Sequence, residues 1–357
     1  MLSRVYETRQ WNASWIGAQM SAEERVAPTF RKTFLLSGEI REARLFISGL
    51  GLFAAQINGK PADDSFLNPV NTDYTQTALY CEFDVSRLLV QGENTIRVEL
   101  GNGFFNSDVK EWSWATAPWR DTPRMIAELV ITFADGRTLT VSSDESWQAT
   151  LSGPIVVNEI YRGELYDARR HEEAFVWTGA ILADAPKGEL RRQEMPPVRK
   201  IAQFAPESIA RFEDGTYLIT APEMITGWMK LKIRAPKDTQ IVIDYAERKG
   251  DDGKIDPILK NEDGEMIPWQ RDTVISDGNE FEYEPRFTYH GFLYIQIAGY
   301  PEGLTADDIV LYRVANDVET ISTFRCSNEM VNRLHDLMKR TLLNNFQGKP
   351  TDTPVFE

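Results

Sequence analysis

Residues 79–85 read LYCEFDV, a stretch in which apolar and polar side chains alternate. A period of two places every second side chain on the same face of a β-strand. The same period recurs at 43–49 (ARLFISG) and 96–100 (IRVEL), with no helical periodicity between these segments. The pairs Asn58-Gly59 and Asp135-Gly136 are typical of hairpin turns. The pattern therefore predicts antiparallel strands with one face on a core and the other in water.

A change of composition separates this region from a second one. Residues 183–200 (ADAPKGELRRQEMPPVRK) are polar and charged and carry three prolines, which is typical of a linker. Strand alternation resumes afterwards at 228–234, 240–246, 287–298 and 309–314. We therefore predict an N-terminal strand segment (1–36) that joins a first β-sandwich (37–182), then the linker, then a second β-sandwich (201–320).

The period changes to that of a helix near the end of the chain. After Ser327, a residue type that favours helix N-caps, apolar side chains follow at gaps of three and four. They are Met330, Val331, Leu334, Leu337, Met338 and Leu342. We predict an amphipathic helix over 327–346, within a segment (321–357) that opens a helical domain. Its apolar face should be partly exposed or covered by another copy of the chain, since few residues follow it.

Composition excludes several classes of partner. The 357 residues suggest two or three domains, and a net charge of −15 with a pI near 4.9 argues against nucleic acids and anionic membranes. The N-terminus has no apolar signal-peptide core, and no apolar run is long enough to span a membrane. We therefore expect a cytoplasmic location, and neutral ligands remain open.

Cofactors and disulfides are not expected. Cys81 and Cys326 are the only cysteines, and three scattered histidines are too few for a His-built metal site. Acidic turns at 63–73 and 251–256 offer the oxygen ligands that calcium accepts. Both also fit hairpin turns with solvated carboxylates, so the prediction is no cofactor, with calcium as the minor alternative.

One loop-like stretch, NGFFNSDVKEWSWATAPWRD at 102–121, concentrates aromatic side chains beside polar ones. We call it the aromatic loop. Sugars stack their C–H faces on aromatic rings while their hydroxyl groups meet amides, carboxylates and guanidinium groups. The candidate sugar-binding residues are Phe104, Asn106, Asp108, Trp112, Trp114, Trp119 and Arg120, with Asn102 and Phe105 beside them. The alternative is that these rings pack in a core or against another domain.

Two later motifs contain titratable residues that could be mistaken for catalytic ones. In GELYDAR at 163–169 we expect a structural role, with an ion pair between Arg169 and Asp167 and with Tyr166 as an anchor. Glu164 shares a strand face with Tyr166. In PRFTYHGF at 285–292, His290 has no second His or Cys nearby, so we expect a buried, hydrogen-bonded imidazole.

Several stretches resemble the bacterial α-L-rhamnosidases, the inverting enzymes of glycoside hydrolase family 78. In the family's order they are GLGLFAAQING (49–59), NPVNTDYTQTALYCEFDV (68–85), GENTIRVELGNGFFN (92–106), IYRGELYDAR (160–169), YAERKGDDGKID (245–256), EPRFTYHGFLY (284–294), FRCSN (324–328) and PTDTPVFE (350–357). The resemblance implies β-sandwich domains followed by an (α/α)₆ barrel that carries catalysis. Together with the strand pattern it predicts a mainly β fold class: tandem antiparallel β-sandwich domains of jelly-roll, galactose-binding-like type, followed by one C-terminal amphipathic helix.

The resemblance also assigns roles at the end of the chain. PTDTPVFE is similar to the family's Pro-Thr-Asp-Cys-Pro-x-Arg-Glu, with Thr353 in place of Cys and Phe356 in place of Arg. By this similarity Asp352 stands at a substrate-binding position and Glu357 at the general-acid position. Inverting hydrolysis needs two carboxyl groups, about 6.5–9.5 Å apart, and the second belongs to the barrel. These 357 residues alone are therefore expected to be inactive.

The function implied by the resemblance is the non-catalytic N-terminal part of an α-L-rhamnosidase, which supports the barrel and binds carbohydrate. The expected partners are L-rhamnose-containing saccharides and the barrel, with a homo-oligomer through the C-terminal helix as a further expectation. Two alternatives stay open: a free-standing carbohydrate-binding β-sandwich protein, and a structural β-sandwich protein with no sugar role. A helical domain that begins near residue 321 distinguishes the first interpretation from both alternatives.

Overall fold

A computed structural model describes residues 9–256, 258–260, 264 and 266–354, which form two compact units. Unit 1 contains the residues up to Glu159 together with Arg170–Glu194. Unit 2 contains Ile160–Arg169 and the residues from Met195 onward. The GELYDAR motif therefore belongs to unit 2, within the segment Ile160–Arg169 that unit 1 flanks on both sides in sequence.

Strands dominate both units and are numbered in chain order. They are β1 (Ile16–Gly17), β2 (Thr29–Leu36), β3 (Ile40–Leu50), β4 (Leu52–Ile57), β5 (Lys60–Pro61), β6 (Thr77–Asp84), β7 (Gly92–Gly101), β8 (Arg124–Phe133), β9 (Thr138–Ser142), β10 (Gln148–Thr150), β11 (Ile155–Glu159), β12 (Gly163–Asp167), β13 (Thr178–Gly179), β14 (Ile181–Leu182), β15 (Glu189–Arg192), β16 (Val198–Phe204), β17 (Ser208–Arg211), β18 (Tyr217–Ile233), β19 (Gln240–Ala246), β20 (Ile258–Lys260), β21 (Met266–Pro268), β22 (Arg271–Ile275), β23 (Phe281–Tyr283), β24 (His290–Ala298), β25 (Ile309–Asn316), β26 (Phe346–Gln347) and β27 (Lys349–Pro350). Short 3-10 helices occupy Ser86–Leu88, Glu111–Thr116, Glu172–Ala174 and Ala306–Asp308.

Unit 1 is a sandwich of two sheets. One sheet has the order β14-β1-β8-β3-β6-β15 with β9 on β8, and the other has the order β13-β10-β2-β7-β4-β5. Pairing is antiparallel except between β15 and β6, which are parallel. The alternating stretches of the sequence lie in β3, β6 and β7, as predicted. The inward side chains of β3 and β7, among them Leu45, Ile47, Ile96 and Val98, are fully buried. Each such burial stabilises the fold by about 1.5–3 kcal/mol.

The predicted linker at 183–200 is not free of sheet structure. Residues Glu189–Arg192 form β15, which extends the first sheet of unit 1 at its edge. β15 pairs in parallel with the free backbone N–H and C=O groups at the edge of β6. Because these are backbone hydrogen bonds, a polar segment can form them. The prolines at 196 and 197 lie just after the boundary between the units, and strand structure resumes at Val198 in β16.

Unit 2 is built on one large sheet whose side chains form a hydrophobic core. Among the strands of this unit, the order is β12-β22-β19-β24-β18-β25-β16, with β17 and β23 also paired to β18. The 17-residue strand β18 changes register between Thr220 and Ile225; both of its halves pair with β24, whereas β17 pairs with the first half and β23 and β25 pair with the second. Side chains from six strands meet in the core, including Ile219 and Leu231 of β18, Ile243 of β19, Phe292 of β24 and Leu311 of β25. Unit 2 is thus mainly β, and most of its strands belong to one continuous sheet.

The C-terminal helix α1 spans Glu329–Asn344. Its N-cap is Asn328 and not the predicted Ser327, because the Asn328 side chain accepts hydrogen bonds from the backbone N–H groups of Met330 and Val331. The six apolar residues predicted for one face are all exposed, from 39% for Val331 to 78% for Met330. The prediction of an exposed apolar face is confirmed. Among the described helices, none has the length and apolar character needed to cross a lipid bilayer.

Polar contacts attach the other side of α1 to the sheet of unit 2. Arg313 of β25 donates to the side chains of Asn344 (3.2 Å) and Glu223 (2.6 Å), and Arg340 donates to the second oxygen of Glu223 (2.5 Å). Burial raises the pKa of Glu223, but the hydrogen bonds from the two arginines outweigh this and hold its pKa below the usual value. The helix is therefore held by ionic and amide groups on the side that faces the sheet.

Candidate functional site

A half-open cavity of about 210 Å³ lies in unit 1, beside the aromatic loop. The cavity combines aromatic rings with charged side chains. It is lined by Leu50, Tyr74, Thr75, Phe105, Pro118, Trp119, Arg120, Asp121, Arg124, Asp184, Ala185, Pro186 and Lys187. Pockets for drug-sized ligands measure about 300–1,000 Å³, so this one suits a single sugar ring.

Trp119 is the aromatic wall of the cavity with a fixed orientation. Its indole Nε1 donates to the backbone oxygen of Phe104 at 3.3 Å, and its ring packs edge-on against Tyr74 with centroids 5.8 Å apart. Tyr74 in turn meets Phe105 edge-on at 5.1 Å. Burial raises the pKa of the Tyr74 hydroxyl well above its usual value, so this wall stays neutral.

Two of the three cationic side chains that line the cavity, Arg120 and Arg124, are paired within unit 1. Arg124 donates to Asp121 and to the backbone oxygens of Thr122 (3.3 Å) and Asp184 (3.2 Å). Arg120 lies 3.4 Å from the carboxylate of Glu23. Because Arg120 and Arg124 are compensated by carboxylates of the same unit, these two side chains favour a neutral, hydroxyl-bearing ligand over an anion.

The structure brings only part of the predicted sugar site together. Phe105, Trp119 and Arg120 line the cavity, whereas Phe104 and Trp114 pack behind it with ring centroids 5.1 Å apart. Trp112 is 45% exposed and does not line the cavity. It lies in the 3-10 segment with φ of 56°, the left-handed region that only a minority of non-glycine residues occupy.

Asn106 and Asp108 belong to a different cluster. Asn106 is fully buried, its side-chain amide donates to Asn102 at 2.9 Å, and its backbone oxygen accepts from Arg25. Asp108 is 3.8 Å from the same Arg25 guanidinium. These contacts hold the start of the aromatic loop in place, so Asn106 and Asp108 follow the alternative interpretation, in which the loop's side chains serve packing and not sugar binding. Tyr74, Arg124 and Lys187 line the cavity instead. Tyr74 and Lys187 come from loops that are distant in sequence, and Arg124 is the first residue of β8, so the composition of the aromatic loop gave no signal for any of the three.

Of the two family positions at the end of the chain, the structure describes only the first. Asp352 is exposed, whereas Glu357 lies outside the described residues. Asp352 follows a hairpin formed by β26 and β27, in which Phe346 pairs with Pro350.

The motifs GELYDAR and PRFTYHGF meet in the core of unit 2. Glu164 Oε1 accepts hydrogen bonds from the backbone N–H groups of Arg286 (3.0 Å) and Phe287 (2.6 Å). The backbone N–H of Glu164 donates to Asp272 Oδ1 at 2.9 Å, and the second oxygen of Asp272 is 3.1 Å from His290 Nε2. The His290 ring stacks on Tyr245 at 4.1 Å. We call Glu164, Asp272, His290, Tyr245 and Tyr283 the buried acid cluster; each is at most 3% exposed.

Burial dominates the electrostatics of this cluster. Loss of water raises the pKa of Glu164, the neighbouring Asp272 also raises it, and the two backbone hydrogen bonds only partly oppose this, so that the pKa is about 8. Burial and then Asp272 also raise the pKa of Tyr245 and of Tyr283 well above their usual values. Glu164 is therefore protonated at neutral pH, and the cluster has no access to a substrate.

The structural interpretation of both motifs is confirmed. Arg169 binds both oxygens of Asp167, at 2.8 and 2.9 Å, and also reaches Asp238 at 2.7 Å. Tyr166 packs on Tyr283 with ring centroids 5.5 Å apart. His290 is a fully buried, hydrogen-bonded imidazole.

The acidic turns use their carboxylates within the chain. Asp63 Oδ1 accepts from the backbone N–H and the hydroxyl of Ser65, and Asp73 Oδ1 accepts in the same way from Thr75. Across the described ranges, no group of three or more His, Cys, Asp or Glu side chains is arranged to hold a metal ion. Both cysteines are free, with Cys81 buried and Cys326 exposed.

Comparison with protein families finds three matches in succession. Residues 38–202 match the α-L-rhamnosidase N-terminal domain, 210–315 match the bacterial α-L-rhamnosidase concanavalin-like domain, and 319–357 match the bacterial α-L-rhamnosidase six-hairpin glycosidase domain.

Individual proteins give the same result. An α-L-rhamnosidase of Formosa agariphila is 29% identical over 98% of this chain and 38% of its own length. The structure of α-L-rhamnosidase from Dictyoglumus thermophilum superposes with a TM-score of 0.87 at 35% identity, over 97% of this chain and 40% of that one. The Streptomyces avermitilis enzyme complexed with L-rhamnose gives 0.84 at 26% identity, over 93% of this chain and 32% of that one. This chain therefore spans about 40% or less of these relatives and belongs to the bacterial α-L-rhamnosidase family, to whose N-terminal domains it corresponds.

Proposed function

We propose that this chain acts as the non-catalytic N-terminal part of an enzyme that hydrolyses terminal α-L-rhamnosides with inversion. The observation that carries the proposal is α1. One side of this helix is fixed to the sheet of unit 2 through Arg313, Glu223 and Arg340, while its apolar side is exposed. The helix also lies within residues 319–357, which match a six-hairpin glycosidase domain. An apolar face of this kind is used when further helices pack on it.

In this proposal the catalytic carboxyl groups act in the helical domain, and units 1 and 2 support that domain. The buried acid cluster supplies neither the acid nor the base, because its carboxyl groups are enclosed in the core of unit 2. Asp352 is exposed and would bind the sugar, as its family position implies. An inverting mechanism then needs a protonated carboxyl group on one side of the glycosidic bond and a carboxylate that activates water on the other.

The test compares two lengths of the protein on an aryl α-L-rhamnoside. The 357-residue chain is expected to release no rhamnose, and a protein extended through the whole six-hairpin domain is expected to release it. Proton NMR of the first product should show the β-anomer of L-rhamnose, since inversion changes the anomeric configuration. Hydrolysis by the 357-residue chain alone, or retention by the extended protein, would contradict the proposal.

The cavity of unit 1 supports a second role, binding of a single L-rhamnose unit by the non-catalytic part. A deoxysugar has an apolar face for Trp119 and hydroxyl groups for the charged rim formed by Arg120, Asp121 and Arg124. Protein aromatic rings that receive sugars are held rigidly, and the bond from Trp119 to Phe104 provides that rigidity here.

Two tryptophan variants separate this role from packing alone. Trp119→Ala is expected to weaken L-rhamnose binding at least about tenfold by isothermal calorimetry, because the stacking surface is lost. Trp112→Ala is the matched control, since Trp112 comes from the same loop but lies outside the cavity. The role is rejected if the unaltered chain binds no L-rhamnose, or if only Trp112→Ala weakens binding.

A further inference from the structure

Asn316, the last residue of β25, joins three distant parts of unit 2. It is fully buried, and both ends of its side-chain amide are used. Its Nδ2 donates to the backbone oxygen of Pro196 at 2.7 Å, across 120 residues of sequence. Its Oδ1 accepts from the backbone N–H of Gly348 at 2.6 Å, across 32 residues.

The two backbone groups that are bonded to Asn316 lie far apart in sequence, one just before β16 and the other after α1. Pro196 precedes β16, whose first residue, Val198, is the register partner of Asn316. Gly348 is the turn between β26 and β27, with φ of 96°, a conformation that favours glycine. The same side chain therefore fixes the residues that lead into unit 2 and those that follow α1.

Neighbouring contacts extend this attachment along the segment after the helix. Gln347 Nε2 donates to the backbone oxygen of Val314 in β25 at 2.9 Å. The backbone N–H of Thr351 donates to the oxygen of Asn345 at 2.9 Å, which closes the turn around the hairpin. Asp352 is the next residue, so its backbone begins where this anchored segment ends.

We propose that Asn316 is a positioning residue: by holding Gly348 on the end of β25, it fixes where the chain leaves the sheet and thus where Asp352 is presented. The inference rests on the proposed function for its effect on rhamnoside binding. A buried backbone N–H that loses its acceptor favours conformations in which water can reach it, so the segment would open without Asn316.

The first experiment measures amide hydrogen exchange of residues 346–351 in the 357-residue chain. Asn316→Ala is expected to speed exchange of Gly348 at least about tenfold. Ser276→Ala is the matched control, because Ser276 is also fully buried and its hydroxyl also joins a carbonyl (Ala235, 2.8 Å) to a glycine N–H (Gly278, 3.1 Å). The inference is overturned if Gly348 exchanges equally fast in the two variants.

A conservative variant keeps the test decisive if Asn316→Ala does not fold. Asn316→Asp retains the acceptor for Gly348 and changes only the group that faces Pro196. Slow exchange at Gly348 is expected to persist in this variant. Fast exchange there, with the rest of β25 still protected, would show that the acceptor does not hold the segment.

The second experiment uses the protein extended through the six-hairpin domain. Asn316→Ala is expected to raise the KM for an aryl α-L-rhamnoside at least about tenfold with a smaller effect on kcat, because Asp352 is placed at a substrate-binding position. Ser276→Ala should change neither constant. Equal KM and kcat values in the two variants would show that Asn316 has a structural role and does not position Asp352. An inactive unaltered extended protein would refute the proposed function, while the exchange experiment would still decide whether Asn316 holds the segment.

Discussion

Unit 2 is expected to lose stability as the pH rises from 5 to 9, and Glu164→Gln is expected to remove most of that loss. The pKa of Glu164 is about 8 in the folded protein against 4.5 for a solvated glutamate. Between these values the folded chain keeps a proton that the unfolded chain has released. The free energy of unfolding therefore falls as the pH rises, and the stabilisation is complete only below pH 4.5.

The expected size of this effect is large for one residue. A pKa of about 8 in the folded protein against 4.5 for a solvated glutamate corresponds to about 5 kcal/mol in the free energy of unfolding. This stabilisation is lost progressively as the pH rises to 8. Gln keeps the oxygen that accepts from Arg286 and Phe287, and it cannot ionise beside Asp272. Above pH 8 the variant should therefore be more stable than the unaltered chain. Below pH 5 the two should be similar.

Peptide-resolved hydrogen exchange of β24 from pH 5 to 9, with rates corrected for intrinsic exchange, reports unit 2 separately from unit 1. Glu282→Gln is the control, because it removes one carboxylate from the same unit at an exposed position. The range stops at pH 9 so that Tyr245 and Tyr283, whose pKa values are raised above 10, stay neutral. A Glu164→Gln variant with the same pH dependence as the unaltered chain would show that Glu164 is not the responsible group.

Strand positions were predictable because they depend on a local period. LYCEFDV places Cys81 and Val85 toward the core, and both are buried in β6 or at its end. The helix was predictable for the same reason, and its N-cap moved by one residue because Ser327 and Asn328 are both good caps.

The contacts that define the sites were not predictable, because they join residues that are distant in sequence. Glu164 accepts a hydrogen bond from the backbone N–H of Phe287, 123 residues away, and the sequence of neither motif indicates its partner. Trp119 and Arg120 were found from composition, yet Asn106 of the same loop points into a different cluster around Arg25. Composition therefore identified the loop but not the side of it that forms the cavity.

A charge on the apolar face of α1 is expected to have little effect in the short protein and a large effect in the extended one. Leu334 is 55% exposed, so Leu334→Glu is expected to leave the stability of the 357-residue chain nearly unchanged. In the protein extended through the six-hairpin domain, helices that pack on this face would bury the new carboxylate without a partner. The same substitution should then destabilise the helical domain by about 2–5 kcal/mol. Thermal unfolding of the four proteins measures both effects.

Lys339→Glu is the control, because Lys339 is exposed on α1 but lies outside the apolar face. It adds negative charge to the same helix and should have little effect in either length. The alternative to a helical domain is that a second copy of the chain covers this face. Sedimentation of the 357-residue chain tests this, since Leu334→Glu would dissociate a dimer formed through the face. If Leu334→Glu is as mild as Lys339→Glu in the extended protein, helices of that domain do not cover α1. The helix would then be an end of the β-sheet region and not the start of a helical domain, and the proposed function would lose the observation on which it rests.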